Sequence, residues 1–224
     1  MKLGRYEYGY FLLIIALGVA WFPALNFFYT TQLSNTIPKW LFGTLYMIAS
    51  IAIYSLYSRW FLRYVCGIKI NRWIKAHGFT YDIGGFITSE ARIRGKYHNI
   101  SVLIELRHRG RFQTSWIECQ VENPNSVSFT LSRKYFPRDS SPKGYSFFDP
   151  YFDDTFQVKP TSAKIFSDTS LTDRLVEIQE TTNVIDDIKL DNNELFLDYR
   201  GLITKEEMLD GALKAISLIA NSLQ

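Results

Sequence analysis

The residues of this chain that could do chemistry are concentrated in segment 147–156, which reads FFDPYFDDTF. Three carboxylates, those of Asp149, Asp153 and Asp154, stand there among four phenylalanines and a tyrosine. Burial against aromatic rings can raise the pKa of one carboxylic acid above that of its neighbour, and such a pair can act as general acid and base. The same three carboxylates could hold a cation. The segment is therefore a candidate enzymatic or metal site.

A structural role explains the same residues. Asp149 before Pro150 is a common way to open a turn, and Asp153 or Asp154 can accept hydrogen bonds from the backbone amides that follow. The aromatic side chains can then simply enter the core ahead of the segment FQVK. We favour this structural interpretation over a site.

No other motif points to catalysis. The chain has three histidines and two cysteines, with no His-Glu-x-x-His helix, no glycine-rich phosphate loop between a strand and a helix, and no nucleophile elbow. We therefore assign no catalytic residue and no cofactor, and we favour a binding protein over an enzyme while keeping the enzyme as the alternative.

Charge supplies a second candidate site. Residues 59–138 hold 14 Lys and Arg against 5 Asp and Glu, whereas residues 139–224 hold 8 against 16. The basic half concentrates six cations at predicted hairpin ends, and anionic headgroups attract each such residue by about 1 kcal/mol. The candidate lipid-binding residues are Arg92, Arg94, Lys96, Arg107, Arg109 and Arg111. Solvated surface charge is the alternative, and we expect no nucleic acid because the domain is predicted to be tethered to a membrane.

Two uncharged runs predict that tether. The uncharged runs are 10–29 and 40–58, and they predict spans of about 10–29 and 40–60, each close to the roughly 20 residues that a helix needs to cross a bilayer. Aromatic residues flank both runs, as is typical of the membrane interface. A cleaved signal peptide is the alternative for the first run, because Lys2 and Arg5 precede it and Gly18 to Ala20 are small.

The distribution of cations predicts the orientation. Lys2 and Arg5 precede the first run, only Lys39 lies in the link, and Arg59, Arg63, Lys69, Arg72 and Lys75 follow the second run. Because positive charge stays inside, both termini should face the cytoplasm from the cell inner membrane. The two cysteines suggest no disulfide framework, which agrees with a reducing compartment. Cys119 lies in an alternating strand, so we expect a buried, inert thiol.

These patterns divide the chain into a transmembrane hairpin, 1–66, and a cytosolic α+β domain, 67–224. The second span should run on into a helix that ends at His77, with Gly78 and Phe79 as its C-terminal cap. Hairpins in series then predict an antiparallel sheet with one buried face. Late helices pack on the sheet: one begins near Ser170 or Thr172, and the last begins with a capping box of Thr204 and Glu207. An apolar stripe marks the last helix: Leu209, Leu213, Ile216, Ala220 and Leu223.

The layout resembles that of uncharacterised prokaryotic membrane proteins in which two spans precede a cytosolic α+β domain of unknown function. The similar segments are RIRGKYHNISV, YFDDTFQVKPTSAKIFSDTSLTDRLVEIQ and NELFLDYRG. The matching positions are Phe152, Asp153, Phe156, Val158, Leu171 and Thr172. The resemblance covers about the last 130 residues, and it implies a shared fold without any functional residue.

The sequence thus predicts a membrane-anchored binding or scaffold module, with its basic half facing the inner leaflet. Its predicted partners are membrane lipids and either another protein or further copies of itself. The alternative is a membrane-bound hydrolase or metal enzyme that uses segment 147–156.

Overall fold

The computed structural model describes residues 5–31, 38–84, 89–109, 112–124, 126–134, 150–159 and 163–223. They belong to two compact units, 1–58 and 59–224. Helix α1 is Arg5–Thr30, and helix α2, Lys39–Tyr64, begins in the first unit. Within that unit Trp21 packs against Phe42 and Tyr46, with ring centroids 5.8 and 4.4 Å apart, and the Tyr46 hydroxyl donates to the carbonyl of Leu17.

Within the described residues one helical stretch, Trp40–Lys69, is long and apolar enough to cross a membrane. This finding agrees with the second predicted span. The apolar stretch Ile15–Thr30 of α1 is shorter, so the first span and the two-span hairpin stay predictions. Large apolar side chains are unusually exposed in this part of the chain: of the 16 found exposed, 14 lie between Ile15 and Ile68.

Helix α2 continues into the second unit, which begins at Arg59, and ends at a break. A π-helical turn, Val65–Lys69, follows α2, and Ile70 then leaves helical geometry with φ −115° and ψ 7° before helix α3, Asn71–Ala76. The cap is the one that the sequence predicts. Gly78 has φ +68°, and the Phe79 N–H donates to the carbonyl of Ile74 at 2.9 Å.

An eight-stranded sheet forms the centre of the second unit, and every neighbouring pair in it is antiparallel. The strands are β1 Thr80–Gly84, β2 Ser89–Tyr97, β3 Ile100–Arg109, β4 Phe112–Gln120, β5 Phe129–Arg133, β6 Phe156–Lys159, β7 Asp187–Asp191 and β8 Glu194–Tyr199. Their spatial order is β1-β2-β3-β4-β8-β7-β5-β6. The predicted α+β class and antiparallel sheet are therefore confirmed.

One face of the sheet is buried. Alternate residues such as Ile104 in β3, Ile117 in β4 and Leu197 in β8 are fully buried, as period-two patterning requires. Cys119 lies on this face, and burial raises the pKa of its thiol to about 12, so the thiol stays protonated and unreactive at neutral pH.

Late helices cover that face, but they begin differently from the prediction. The elements are helix α4, Pro150–Thr155, a 3-10 turn, Ala163–Ser167, helix α5, Thr169–Thr182, and helix α6, Glu206–Ser222. Asp168, not Ser170 or Thr172, caps α5, because its carboxylate accepts the Ser170 N–H at 2.9 Å. Lys205 occupies the N-cap position of α6 without a side-chain bond, so Thr204 and Glu207 form no capping box. The predicted apolar stripe of α6 is buried throughout.

An acidic cluster lies at one end of β7 and β8. Asp187 and Asp198 are directly opposite each other across the strands, and the buried Asp186 carboxylate accepts the Arg200 N–H at 2.6 Å. Burial raises the pKa of Asp198, and the charges of Asp187 and Asp186 raise it further, while Arg200 and Arg107 oppose them.

We expect Phe152→Ala to lower the free energy of unfolding by about 3–5 kcal/mol, because a fully buried ring leaves a cavity. Tyr151→Ala is the matched control. It removes the neighbouring ring, which is 76% exposed, and should change stability by less than about 0.5 kcal/mol. Urea unfolding of the full-length protein in detergent measures both, and equal losses would contradict the placement of Phe152 in the core.

We expect Asp198→Asn to raise the melting temperature near pH 7.5. A raised pKa means that ionising Asp198 costs the folded state more than the unfolded state. This cost is present above the folded-state pKa and disappears as the pH falls below the unfolded-state value of about 4. Thermal unfolding should therefore show a gain that shrinks towards pH 4. Asp191→Asn, on the same strand as Asp187, should give no such gain.

Candidate binding groove

Within the acidic aromatic segment, residues 150–155 form a short helix, and the rings of Phe152 and Phe156 enter the core, whereas Tyr151 is exposed. Phe152 and Phe156 are buried with ring centroids 5.4 Å apart, and Phe152 stacks on Phe166 at 5.7 Å. The backbone carbonyl of Asp153 accepts a hydrogen bond from the Lys134 ammonium group, and Asp154 is exposed. Phe152 and Phe156 thus have the core role that the structural interpretation gives them, while the predicted turn at Asp149 lies outside the described residues.

A metal site at this segment stays a prediction. Asp149 lies outside the described residues, so the set of three carboxylates is not described together. Among the residues that the structure describes, no group of three or more His, Cys, Asp or Glu is arranged to hold a metal ion.

The six candidate lipid-binding cations do not form one cluster. Arg92 and Arg94 lie within β2 and not at a hairpin end, because the reversal that follows β2 is made by His98 and Asn99. Lys96 of β2 is opposite Ser101 of β3, and Arg107 lies six positions further along β3. Lys96 and Arg107 are therefore roughly 20 Å apart along the strand direction. The Arg111 residue and the Arg109 side chain lie outside the described part of the chain.

Two of these arginines are bound to carboxylates. Glu105, which is buried, forms ion pairs with Arg92 at 3.1 Å and with Arg107, and Arg92 also pairs with Glu90 at 2.7 Å. The guanidinium groups of Arg92 and Arg107 are therefore largely neutralised within the sheet. Arg94 and Lys96 are exposed.

The structure adds a feature that the sequence analysis does not predict, a groove of about 810 Å³ on the helical side of the second unit. Helices α5 and α6 form most of it, and the β2–β3 turn contributes His98. Its remaining lining residues are Arg174, Glu177, Ile178, Thr181, Thr182, Glu207, Asp210, Gly211, Lys214, Ser217, Leu218 and Asn221.

A glycine allows the two helices to approach closely. Gly211 faces Thr182, and a Cβ atom at Gly211 would lie 2.6 Å from the Thr182 side chain. Glu177, one turn earlier in α5, acts electrostatically on Lys214, one turn later in α6. The helices therefore run antiparallel, so the groove follows their seam.

Charges of both signs line the groove. Lys214 forms an ion pair with Asp210 at 2.9 Å, and this hydrogen bond raises the pKa of Lys214. Glu177 and Glu207 add negative charge, while Arg174, about one turn before Glu177 in α5, adds positive charge. At the wall, the His98 Nδ1 lies 3.5 Å from the Ser217 hydroxyl oxygen.

One sequence signal could have located the groove. A glycine in the middle of a helix costs about 1 kcal/mol relative to alanine, so Gly211 within α6 indicates a packing reason. The polar residues of α5 and α6 gave no further signal, since polar helix faces look alike whether they border a groove or open solvent.

Comparison with known proteins adds a distant similarity of fold. No protein-family model matches the chain, and no curated protein sequence does. The crystal structure of the mycobacterial trehalose monomycolate transport factor A, TtfA, is similar with a TM-score of 0.49 and 14% sequence identity. The similarity covers 72% of this chain and 96% of that chain. No family is thereby assigned, and the resemblance to uncharacterised prokaryotic membrane proteins stays a prediction.

Proposed function

We propose that this chain is a membrane-anchored binding module that holds a segment of a partner protein in the groove between α5 and α6. The observation that carries this proposal is the groove itself, a cavity of about 810 Å³ lined by both cations and anions. In this proposal both termini lie in the cytoplasm and the anchor lies in the inner membrane.

The anchor is supported by exposed apolar surface. Side chains such as Phe22, Leu45 and Leu56 are each more than half exposed, and they lie on helices α1 and α2. An apolar surface of this kind is costly in water and favourable in a bilayer. The segment Trp40–Lys69 has the length that a crossing requires.

The lining of the groove favours a polypeptide as its occupant. Ten of its 13 lining residues are polar or charged, while apolar atoms still form much of its surface, so the groove can hold a segment that carries both kinds of side chain. A ligand of one charge, such as a phosphate, would meet like charges at part of the wall. A peptide with acidic and basic side chains can place each beside its opposite, with the acidic ones near Arg174 and the basic ones near Glu207.

Lys214→Glu tests this proposal. The variant breaks the pair with Asp210 and sets a fourth carboxylate beside those of Glu177, Glu207 and Asp210, so we expect at least tenfold weaker partner binding. Native mass spectrometry of the full-length protein, extracted from its host in mild detergent, measures the stoichiometric complex.

Lys189→Glu is the matched control. It breaks the Lys189–Asp191 pair at 3.1 Å, which is similarly exposed but lies on β7, outside the groove. The partner should be retained in this variant and lost in Lys214→Glu. Wild-type protein without a stoichiometric partner, or equal loss in both variants, would refute the proposal. A complex formed only by copies of this chain would refute binding of a different protein and would show that the module binds itself.

A further inference from the structure

The segment that follows the apolar helix is amphipathic. Between Arg59 and Ala76, one side of the chain packs into the second unit, and its side chains are at most 5% exposed. These residues are Phe61, Leu62, Val65, Cys66, Ile70 and Trp73. Their burial fixes which side of the segment faces outward.

The outward side combines large apolar residues with cations. Trp60 is 61% exposed and Ile68 is 67% exposed. Four cations of the segment, Arg63, Lys69, Arg72 and Lys75, are exposed as well, whereas Arg59 is half-buried. We call this surface the juxtamembrane strip: Trp60, Arg63, Ile68, Lys69, Arg72 and Lys75.

No acidic residue offsets the strip in the sequence. The chain contains no Asp or Glu from residue 8 to residue 81. Within the described part of the chain, Arg63, Arg72 and Lys75 form no ion pair with a carboxylate. Arg92 and Arg107 differ in this respect, because Glu105 binds both of them.

The aromatic rings of the segment suit a bilayer interface. Trp60 stacks on Tyr64 with ring centroids 6.0 Å apart, and the Lys69 ammonium lies 5.7 Å from the centre of the Tyr64 ring. Aromatic rings favour the headgroup level, while Lys and Arg extend their charged ends towards the phosphates. An exposed apolar residue such as Ile68 is stable where it can enter the acyl boundary.

The position of the strip agrees with this environment. The uncharged run ends at Ser58. Along a helix, Arg63 lies roughly 8 Å beyond that residue and Lys69 roughly 17 Å beyond it. Headgroup charge acts over a Debye length of about 8–10 Å, which long cationic side chains extend. At Ile70 the backbone is no longer helical, so α3 does not have to continue along the axis of α2. Arg72 and Lys75 can therefore stay close to the membrane surface instead of lying further from it along that axis.

We infer that the juxtamembrane strip binds the headgroups of anionic phospholipids at the cytoplasmic leaflet. This inference rests on the membrane anchoring in the proposed function, but it does not depend on the partner in the groove. The strip thereby takes the lipid-binding role that the sequence suggested for the cations of β2 and β3. The four cations of the strip can bind phosphate groups while the exposed Trp60 and Ile68 contact the apolar boundary of the bilayer. The ion-paired arginines of the sheet, Arg92 and Arg107, do not belong to this strip.

Lipid titration of the full-length protein tests the inference. Phosphatidylglycerol and, separately, zwitterionic phosphatidylethanolamine are added to the detergent-solubilised protein, and native mass spectrometry counts bound lipids. Arg72→Gln/Lys75→Gln should weaken phosphatidylglycerol binding roughly 30-fold, since each exposed cation contributes about fivefold. Arg94→Gln/Lys96→Gln is the matched control, because it removes the same charges from exposed positions of β2.

Three outcomes would overturn the inference: no preference for phosphatidylglycerol in the wild type, equal loss in both double variants, or greater loss in the β2 variant. The partner complex of the Lys214→Glu experiment is recorded separately, so loss of lipid and loss of partner are distinguishable. Alkaline carbonate extraction of host membranes tests the anchor itself. Wild-type protein released by carbonate would refute the anchoring and with it the inference, whereas retained protein without lipid preference would refute the inference alone.

Discussion

The fold depends on the pairing of β4 with β8, strands that are far apart in the sequence. This pairing joins β1–β4 to the strands that come later in the sequence, and it places Ile117 beside Leu197 in one continuous buried face. Ser115 closes the seam, because its buried hydroxyl donates to the Gly201 carbonyl and accepts the Ile203 N–H, both at 2.9 Å. Closing so long a loop has an entropy cost that only the buried face beyond it offsets. Helix α6 can cover a single core only after that closure.

The same seam brings the basic and acidic halves of the sequence together. Burial and the charge of Asp187 raise the pKa of Asp198 in β8, and the charge of Arg107 in β3 lowers it. Within β2 and β3 the arginines Arg92 and Arg107 are matched by Glu90 and Glu105. The pairs with Glu90 and Glu105 lie within the basic half, so the interaction of Arg107 with Asp198 is what offsets a part of the charge segregation. It persists at the segment after the apolar helix, where the sequence contains no carboxylate between residues 8 and 81.

Local patterns predicted the elements well, but not their neighbours. Alternation placed Cys119 in a strand with a buried face, and helical spacing located the buried stripe of α6, because periodicity reports which side of an element is apolar. Strand order is decided by which distant edges meet, so nothing in the sequence near Phe129 indicated that β5 lies between β7 and β6. Composition also could not show which rings of FFDPYFDDTF turn inward: within the last seven residues, which the structure describes, Phe152 and Phe156 are buried and Tyr151 is exposed. The groove is a property of two helix faces together, and neither face reveals it alone.

Ring contacts within the second unit connect the juxtamembrane segment to the groove. Trp73 stacks on His77 at 4.1 Å, His77 lies 6.3 Å from Tyr97, and Tyr97 lies 4.3 Å from His98, which forms the wall of the groove. Gly95 permits this arrangement, because a Cβ atom there would lie 2.4 Å from the Phe79 ring that packs on Trp73. His77 and His98 are themselves exposed, so these rings form a row across the surface of the second unit rather than a part of its core. The juxtamembrane strip and the groove both belong to that one unit, 59–224, so the two contacts in the proposed function fall on the same compact part of the chain.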